Sequence, residues 1–233
     1  MSFTFYGDLL GISNAYKLSP DAAYEKLNRF YNLCFHYLRR ACEGSQTNVN
    51  LFSDSIFFWG DNQELAIQSL KRLYTHLTSE GVLLRGAIVR GKLEFDPRFT
   101  VENFEKNLPK GDILPRAVGF ASSCKGARLI IDREIAHSLL PSVEWHTIEG
   151  YLHHHHRYQD IPRFDLRRFI CPMPDGTAYE LLYFYPIQHE APEDYEAAIR
   201  LLRSISKMAS KELTEHYSET ISVIERSRLR ADL

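Results

Sequence analysis

The sequence predicts an α+β fold built on a ferredoxin-like βαββαβ core. Three observations predict it. Short runs rich in aromatic and β-branched residues alternate with segments of helical periodicity, in the order strand, helix, strand, strand, helix, strand. Glycines or turn residues close these runs, at Gly11, Gly60, Gly81 and Gly91. The 233 residues, 44% hydrophobic and 25% charged, suit one domain with additions that can bury a real core. An antiparallel sheet with helices on one face is the expected result.

The elements follow in order. Residues 2–12 read as the first strand, ending at Gly11. Ser19-Pro20-Asp21 is a helix start, with Ser19 as N-cap and Pro20 in the first turn. That helix runs to Cys42, with Tyr24, Leu27, Phe30, Tyr31, Cys34 and Leu38 at helical spacing. A turn over 43–47 leads to a hairpin, with strands at 49–52 and 56–59 and Asp54 at or just before its tip. Gly60-Asp61-Asn62 ends the hairpin. A helix over 64–79 shows Leu65, Ile67, Leu70, Leu73 and Leu77 on one face and stops at Gly81. Residues 82–91 are the next strand.

Beyond this core, residues 92–110 are polar and weakly periodic, an insertion. A helix over 113–125 and a strand over 127–132 follow. Residues 132–168 are less regular, with a short helix and one edge strand, and 178–185 alternate as a strand should. Pro192 opens a charged helical stretch to Arg230, as one helix or two. The organisation is therefore a domain over 1–185 and a C-terminal helical extension over 186–233, with no internal repeat and no low-complexity linker.

Composition excludes several function classes. A formal net charge of −2 leaves no global basic surface for wrapping nucleic acid. Cys34, Cys42, Cys124 and Cys171 are scattered without metal-ligand spacing and read as reduced thiols. The N-terminus opens on a strand pattern, and no stretch is long enough to span a bilayer. The expectation is a soluble cytoplasmic protein with no membrane or nucleic-acid partner.

Two aspartates stand out. Asp8 lies in Phe3-Thr4-Phe5-Tyr6-Gly7-Asp8-Leu9-Leu10-Gly11, and Asp54 in Val49-Asn50-Leu51-Phe52-Ser53-Asp54-Ser55-Ile56-Phe57-Phe58-Trp59. An ionised carboxylate in an apolar strand is costly unless its charge is offset. Two of them side by side are what a hard divalent cation needs. Either one alone is equally explained as a turn or cap residue.

With these segments in hand, the chain resembles the class III nucleotide cyclase family, and most closely the pyrimidine nucleotide cyclases of the bacterial Pycsar antiphage system. The resemblance is carried by Tyr6-Gly7-Asp8-Leu9-Leu10-Gly11, Phe52-Ser53-Asp54-Ser55-Ile56, Leu84-Arg85-Gly86-Ala87-Ile88-Val89-Arg90-Gly91 and Ala127-Arg128-Leu129-Ile130-Ile131-Asp132, over residues 1–135. It implies an enzyme that cyclises a nucleoside triphosphate, CTP or UTP, to the 3′,5′-cyclic monophosphate with loss of pyrophosphate. It implies Asp8 and Asp54 as ligands of two Mg²⁺ or Mn²⁺ ions, with the Leu9 carbonyl as a further ligand. The amides of Leu10, Gly11 and Ile12 are expected at the β- and γ-phosphates. It also implies a homodimer with sites between subunits, and a downstream effector that reads the cyclic product in antiphage defence.

The sequence departs from that pattern in two places. Classical purine cyclases carry a base-reading Lys or Glu four residues before the second metal aspartate; here Asn50 stands there, either a base contact or a polar strand start. Where the family places an Asn and an Arg on the helix after Gly111-Asp112, this chain has Pro115 and Gly119. Arg116, Lys125 and Arg128 are the remaining cations for the transition state or the nucleotide; Arg85 and Arg90 read as structural. An inactive nucleotide-binding relative and a purine cyclase are the alternatives. His153-His154-His155-His156 reads as a solvent loop or edge strand rather than a metal site.

Overall fold

A computed structural model describes residues 1–43, 46–96, 108–139, 169–184 and 195–231. The core elements are β1 (Phe3–Leu9), α1 (Ile12–Leu18), α2 (Pro20–Cys42), β2 (Asn48–Phe52), β3 (Ser55–Gly60), α3 (Gln63–Ser79) and β4 (Leu84–Arg90). They are followed by α4 (Ile113–Ser122), β5 (Leu129–Asp132), α5 (Arg133–Leu139), β6 (Ile170–Pro172) and β7 (Ala178–Leu181). Two further helices, α6 (Tyr195–Met208) and α7 (Lys211–Ala231), end the chain.

The seven strands of the described residues form one sheet in the order β2-β3-β1-β4-β5-β7-β6. The first four are the ferredoxin-like core: β1 lies between β3 and β4 and is antiparallel to both. The crossover that contains α4 returns the chain so that β5 runs parallel to β4. β7 and β6 extend the sheet antiparallel.

Strand alternation gives the sheet two faces. Phe3, Phe5 and Leu9 of β1 are buried with Phe30, Cys34 and Leu38 of α2 and Ile67, Leu70, Tyr74 and Leu77 of α3. The opposite face carries Ala87 and Ile130, packed with Ala121 and Cys124 at α4, and Tyr6 leans on that cluster. Asp8 follows Tyr6 by two residues and so stands on this second face. Gly7 and Gly86 sit opposite each other in the ladder. The Phe5 ring fills the space over both, within 3 Å of where either Cβ would stand.

The anticipated cap at Ser19 forms, its Oγ accepting from the Ala22 amide at 3.3 Å, and Asn62, expected only to end the hairpin, caps α3 by accepting from the Leu65 amide at 3.1 Å. Gly81, with φ 73°, closes α3, while the Val82 amide donates back to the Leu77 carbonyl at 2.8 Å.

Several boundaries differ from the sequence expectation. The first strand stops at Leu9, and α1 occupies residues expected to be strand end and loop. Gly11, with φ 79°, turns the chain, and Ile12 is buried, which a continuing strand would not achieve. The C-terminal stretch is two helices, and neither is a free arm. Ala198, Ile199 and Leu202 of α6, with Tyr217, Val223 and Ile224 of α7, belong to the same buried cluster as β1 and α3. No helix among the described residues is long and apolar enough to cross a membrane. The His153–His156 tract lies outside the described residues.

Candidate active site

The β1 register assembles the site. Asp8 has Ser55, the first residue of β3, on one side and Arg85 of β4 on the other. Asp54 immediately precedes Ser55 in the hairpin turn, where Ser53 takes φ 55°. The Leu9 amide then donates to the Asp54 carbonyl at 2.9 Å. That bond fixes the Asp54 backbone against the residue after Asp8, so residues 46 apart in sequence meet at one end of the sheet.

Asp8 is part-buried, its side chain 22% exposed. Ser55 Oγ donates to Oδ1 at 3.4 Å, and Arg85 Nη2 lies 3.4 Å from Oδ2. Burial, and then the Asp54 charge, raise the Asp8 carboxyl above the usual carboxylate range; Arg85 and Ser55 pull the other way without prevailing. Arg85 Nε is itself buried with no hydrogen-bond partner. The pair thus holds more negative charge than its own chain offsets. That is the condition under which a bound divalent cation fits, with Asp8, Asp54 and the Leu9 carbonyl as the donors on offer. Among the described residues no group of three or more His, Cys, Asp or Glu side chains is gathered to hold a metal.

The other expected contacts are placed unevenly. The Leu10 amide donates to the Leu83 carbonyl at 2.9 Å, so it is committed to the fold rather than offered to a phosphate. Gly11 forms the left-handed turn at the start of α1, with Leu213 of α7 packed 3.2 Å from where its Cβ would be. Ile12 is buried. Asn50 is exposed on edge strand β2, opposite Phe57, which is opposite Tyr6. The row Asn50–Phe57–Tyr6 therefore shares a face with the row Ser55–Asp8–Arg85, about 7 Å away along the strands.

Two cations expected at the substrate, Arg116 and Arg128, face carboxylates of their own chain. Arg116 on α4 lies 2.7 Å from Asp132, which is 3% exposed and also accepts from the Arg90 and Ile135 amides. Arg128 is 3.0 Å from Glu180 and 3.6 Å from Glu219. The physical reason is the same in both cases: a buried carboxylate requires a counter-charge. Lys125 pairs with Glu215 at 3.8 Å and Arg90 with Glu134 at 2.6 Å. Pro115 and Gly119 are exposed on α4, with open space around Gly119.

Arg85, expected as structural, forms with Asp8 an opposite-charge pair directly across the antiparallel ladder, which only the register reveals.

No protein-family model matches the sequence, and no curated protein matches it. Among solved structures the chain is similar to the adenylyl cyclase CyaB from P. aeruginosa, at 18% identity and a TM-score of 0.44, over 61% of this chain and 81% of that one. It is similar to an adenylate cyclase from Trypanosoma brucei in its monomeric state, at 12% identity and a TM-score of 0.48, over 82% and 91%. It is also similar to the guanylate cyclase domain of RhGC from Catenaria anguillulae, in complex with GTP, at 14% identity and a TM-score of 0.46, over 56% and 77%.

Proposed function

We propose that this protein is a metal-dependent nucleotide cyclase that converts a pyrimidine nucleoside triphosphate, CTP or UTP, to its 3′,5′-cyclic monophosphate and pyrophosphate, as a signal in antiphage defence. The observation that carries the reading is the meeting of Asp8 and Asp54 at one sheet end, with Asp54 close enough to raise the Asp8 carboxyl. In the reaction the 3′-oxygen bonds to the α-phosphorus, the bond from that phosphorus to the bridging oxygen breaks, pyrophosphate leaves, and the hydroxyl proton is lost.

Asp8, Asp54 and the Leu9 carbonyl are the residues that would hold two Mg²⁺ or Mn²⁺ ions. Such ions, when bound, acidify the attacking hydroxyl and neutralise the triphosphate. The chain's own residues supply the rest. Arg85 brings a fixed positive charge beside the carboxylates, where charge develops on the phosphates. Gly11 makes the left-handed turn that carries the chain away from Asp8 into α1, with Leu213 packed where a side chain would stand. Asn50, exposed on the same face as Asp8, offers an amide to a base edge.

In this reading two copies form a homodimer, and the helix around Arg116 of one chain approaches the carboxylate pair of the other. Arg116 keeps 38% of its side chain exposed while it holds Asp132. Arg128 would serve the nucleotide only by leaving Glu180. These commitments, with Pro115 and Gly119, favour a second reading: a cyclase-like protein that binds nucleotide without turning it over. The base preference follows from the resemblance to pyrimidine cyclases, with a purine cyclase as its direct competitor.

The experiment is incubation of the purified protein with each of ATP, GTP, CTP and UTP and Mn²⁺, with Asp54→Ala alongside. Cyclic CMP or cyclic UMP, lost in Asp54→Ala, is the expected result. A purine cyclic product replaces the substrate assignment. No cyclic product from any of the four, with calorimetry detecting metal-dependent binding, leaves the second reading.

A further inference from the structure

Lys26 is a lysine on the inner side of α2, part-buried, whose ammonium donates to the Leu10 carbonyl at 3.1 Å. Among the described residues that carbonyl is its one hydrogen-bond partner and no carboxylate pairs with it. Leu10 lies two residues after Asp8 and directly before the left-handed turn at Gly11. A part-buried cation with only a carbonyl for company is costly unless an anion completes the pairing. In the same loop the Leu9 and Leu10 amides already serve the Asp54 and Leu83 carbonyls. Arg85 supplies positive charge at the Asp8 carboxylate, and Lys26 supplies it at the loop that follows. Burial lowers the ammonium's proton affinity, a cost that an anionic ligand would reverse.

We infer that Lys26 is an anion-binding residue at the polyphosphate end of the Asp8–Asp54 site, placed to receive a terminal phosphate of the substrate. The inference rests on the nucleotide reading above and adds a residue to it. Lys26 meets a group that changes little between substrate and transition state, so its binding energy is uniform across the reaction.

The test is calorimetric titration of the full chain with inorganic tripolyphosphate and Mg²⁺, on wild type, Lys26→Met, Lys26→Gln and Lys26→Arg, with thermal melts of each. Loss of a charge-assisted contact predicts binding about tenfold or more weaker in both neutral variants, and largely kept in Lys26→Arg. The neutral variants melt no lower than wild type, because they shed a buried charge. In turnover assays KM for the triphosphate rises in Lys26→Met while kcat holds. Equal tripolyphosphate affinity in wild type and both neutral variants overturns the inference, as does a wild type that binds none. A wild type that binds tripolyphosphate through Lys26 but cyclises no nucleotide overturns the cyclase reading and leaves the anion site standing. Cyclic product with KM unchanged in Lys26→Met does the reverse.

Discussion

Arg85 stands directly across the β1–β4 ladder from Asp8, with Nη2 3.4 Å from Oδ2 and its buried Nε left without a hydrogen-bond partner. The guanidinium is therefore only partly engaged, and under the proposed function it would share its carboxylate with a cation held by Asp8 and Asp54. Arg85→Met keeps the bulk and removes the charge. Metal affinity rises in this variant, because a competing positive charge is gone. Turnover falls by about a hundredfold, as for loss of one preorganised electrostatic contact to a phosphoryl group. A Mn²⁺ titration and kcat measured on the same preparation check the pair of effects; a fall in both assigns Arg85 to holding the fold.

The raised Asp8 carboxyl gives a sign to the pH dependence. Its folded-state pKa lies above the unfolded value, so the folded chain binds more protons between the two. Stability from this group is present at low pH and is lost as pH rises through the raised value. Metal-free protein therefore loses melting temperature from this site as pH climbs from about 4 through the raised value. Asp54→Asn removes the opposing charge and flattens the slope. Mn²⁺ at neutral pH restores stability in wild type, by about 2.7 kcal/mol at a hundredfold excess over its Kd, and far less in Asp54→Asn. Melting curves across pH, with and without Mn²⁺, read all three.

How much of this was legible in the sequence depended on whether a feature is local. The βαββαβ order and the cap at Ser19 are local, and periodicity or turn chemistry specifies them. The Asp8–Asp54 pairing was reachable because both lie at strand ends in a known topology. Helix α1 was missed because seven residues are too few for a helical repeat to declare itself against a preceding strand. The ion pairs of Arg116 and Arg128 were not legible, because the carboxylates that face them lie 16 and 52 residues further on, in elements whose register no local pattern sets. The part played by Lys26 needed the path of the chain around Gly11.

His216 on α7 couples that helix to the strand next to the site. Its Nδ1 accepts from the Gly126 amide at 2.9 Å, and Thr220 Oγ1 accepts from the Ala127 amide at 2.8 Å. Burial, then Lys125 and Arg85, hold the imidazole below its ordinary pKa, with Glu215 and Glu212 opposing. The depressed folded value means that this contribution is present above pH about 6.5 and is lost as pH falls through the folded pKa. A protonated Nδ1 also loses its acceptor role. His216→Asn keeps an acceptor that does not titrate. Wild type loses melting temperature below pH about 6.5 and the variant loses less, a difference that melts in a pH series measure.

Glu180 tests whether α7 is part of the folded unit or an addition to it. The carboxylate is 2% exposed and lies between Arg128 of the β5 entry, at 3.0 Å, and Arg226 of α7, at 2.6 Å. Glu180→Gln leaves two guanidinium groups facing each other with a neutral amide between them. Breaking a buried pair from one side costs about 3–5 kcal/mol, more than removing the pair together. The double variant Glu180→Gln with Arg226→Met is therefore more stable than Glu180→Gln alone, by a coupling of about 1–3 kcal/mol in urea denaturation. Because Leu213 of the same helix packs on Gly11, loosening α7 also releases the turn after Asp8. Cyclic nucleotide production by Glu180→Gln then falls at a lower temperature than its global unfolding, and the double variant recovers part of that gap. Coincident loss of activity and fold in every variant would place α7 outside the workings of the site.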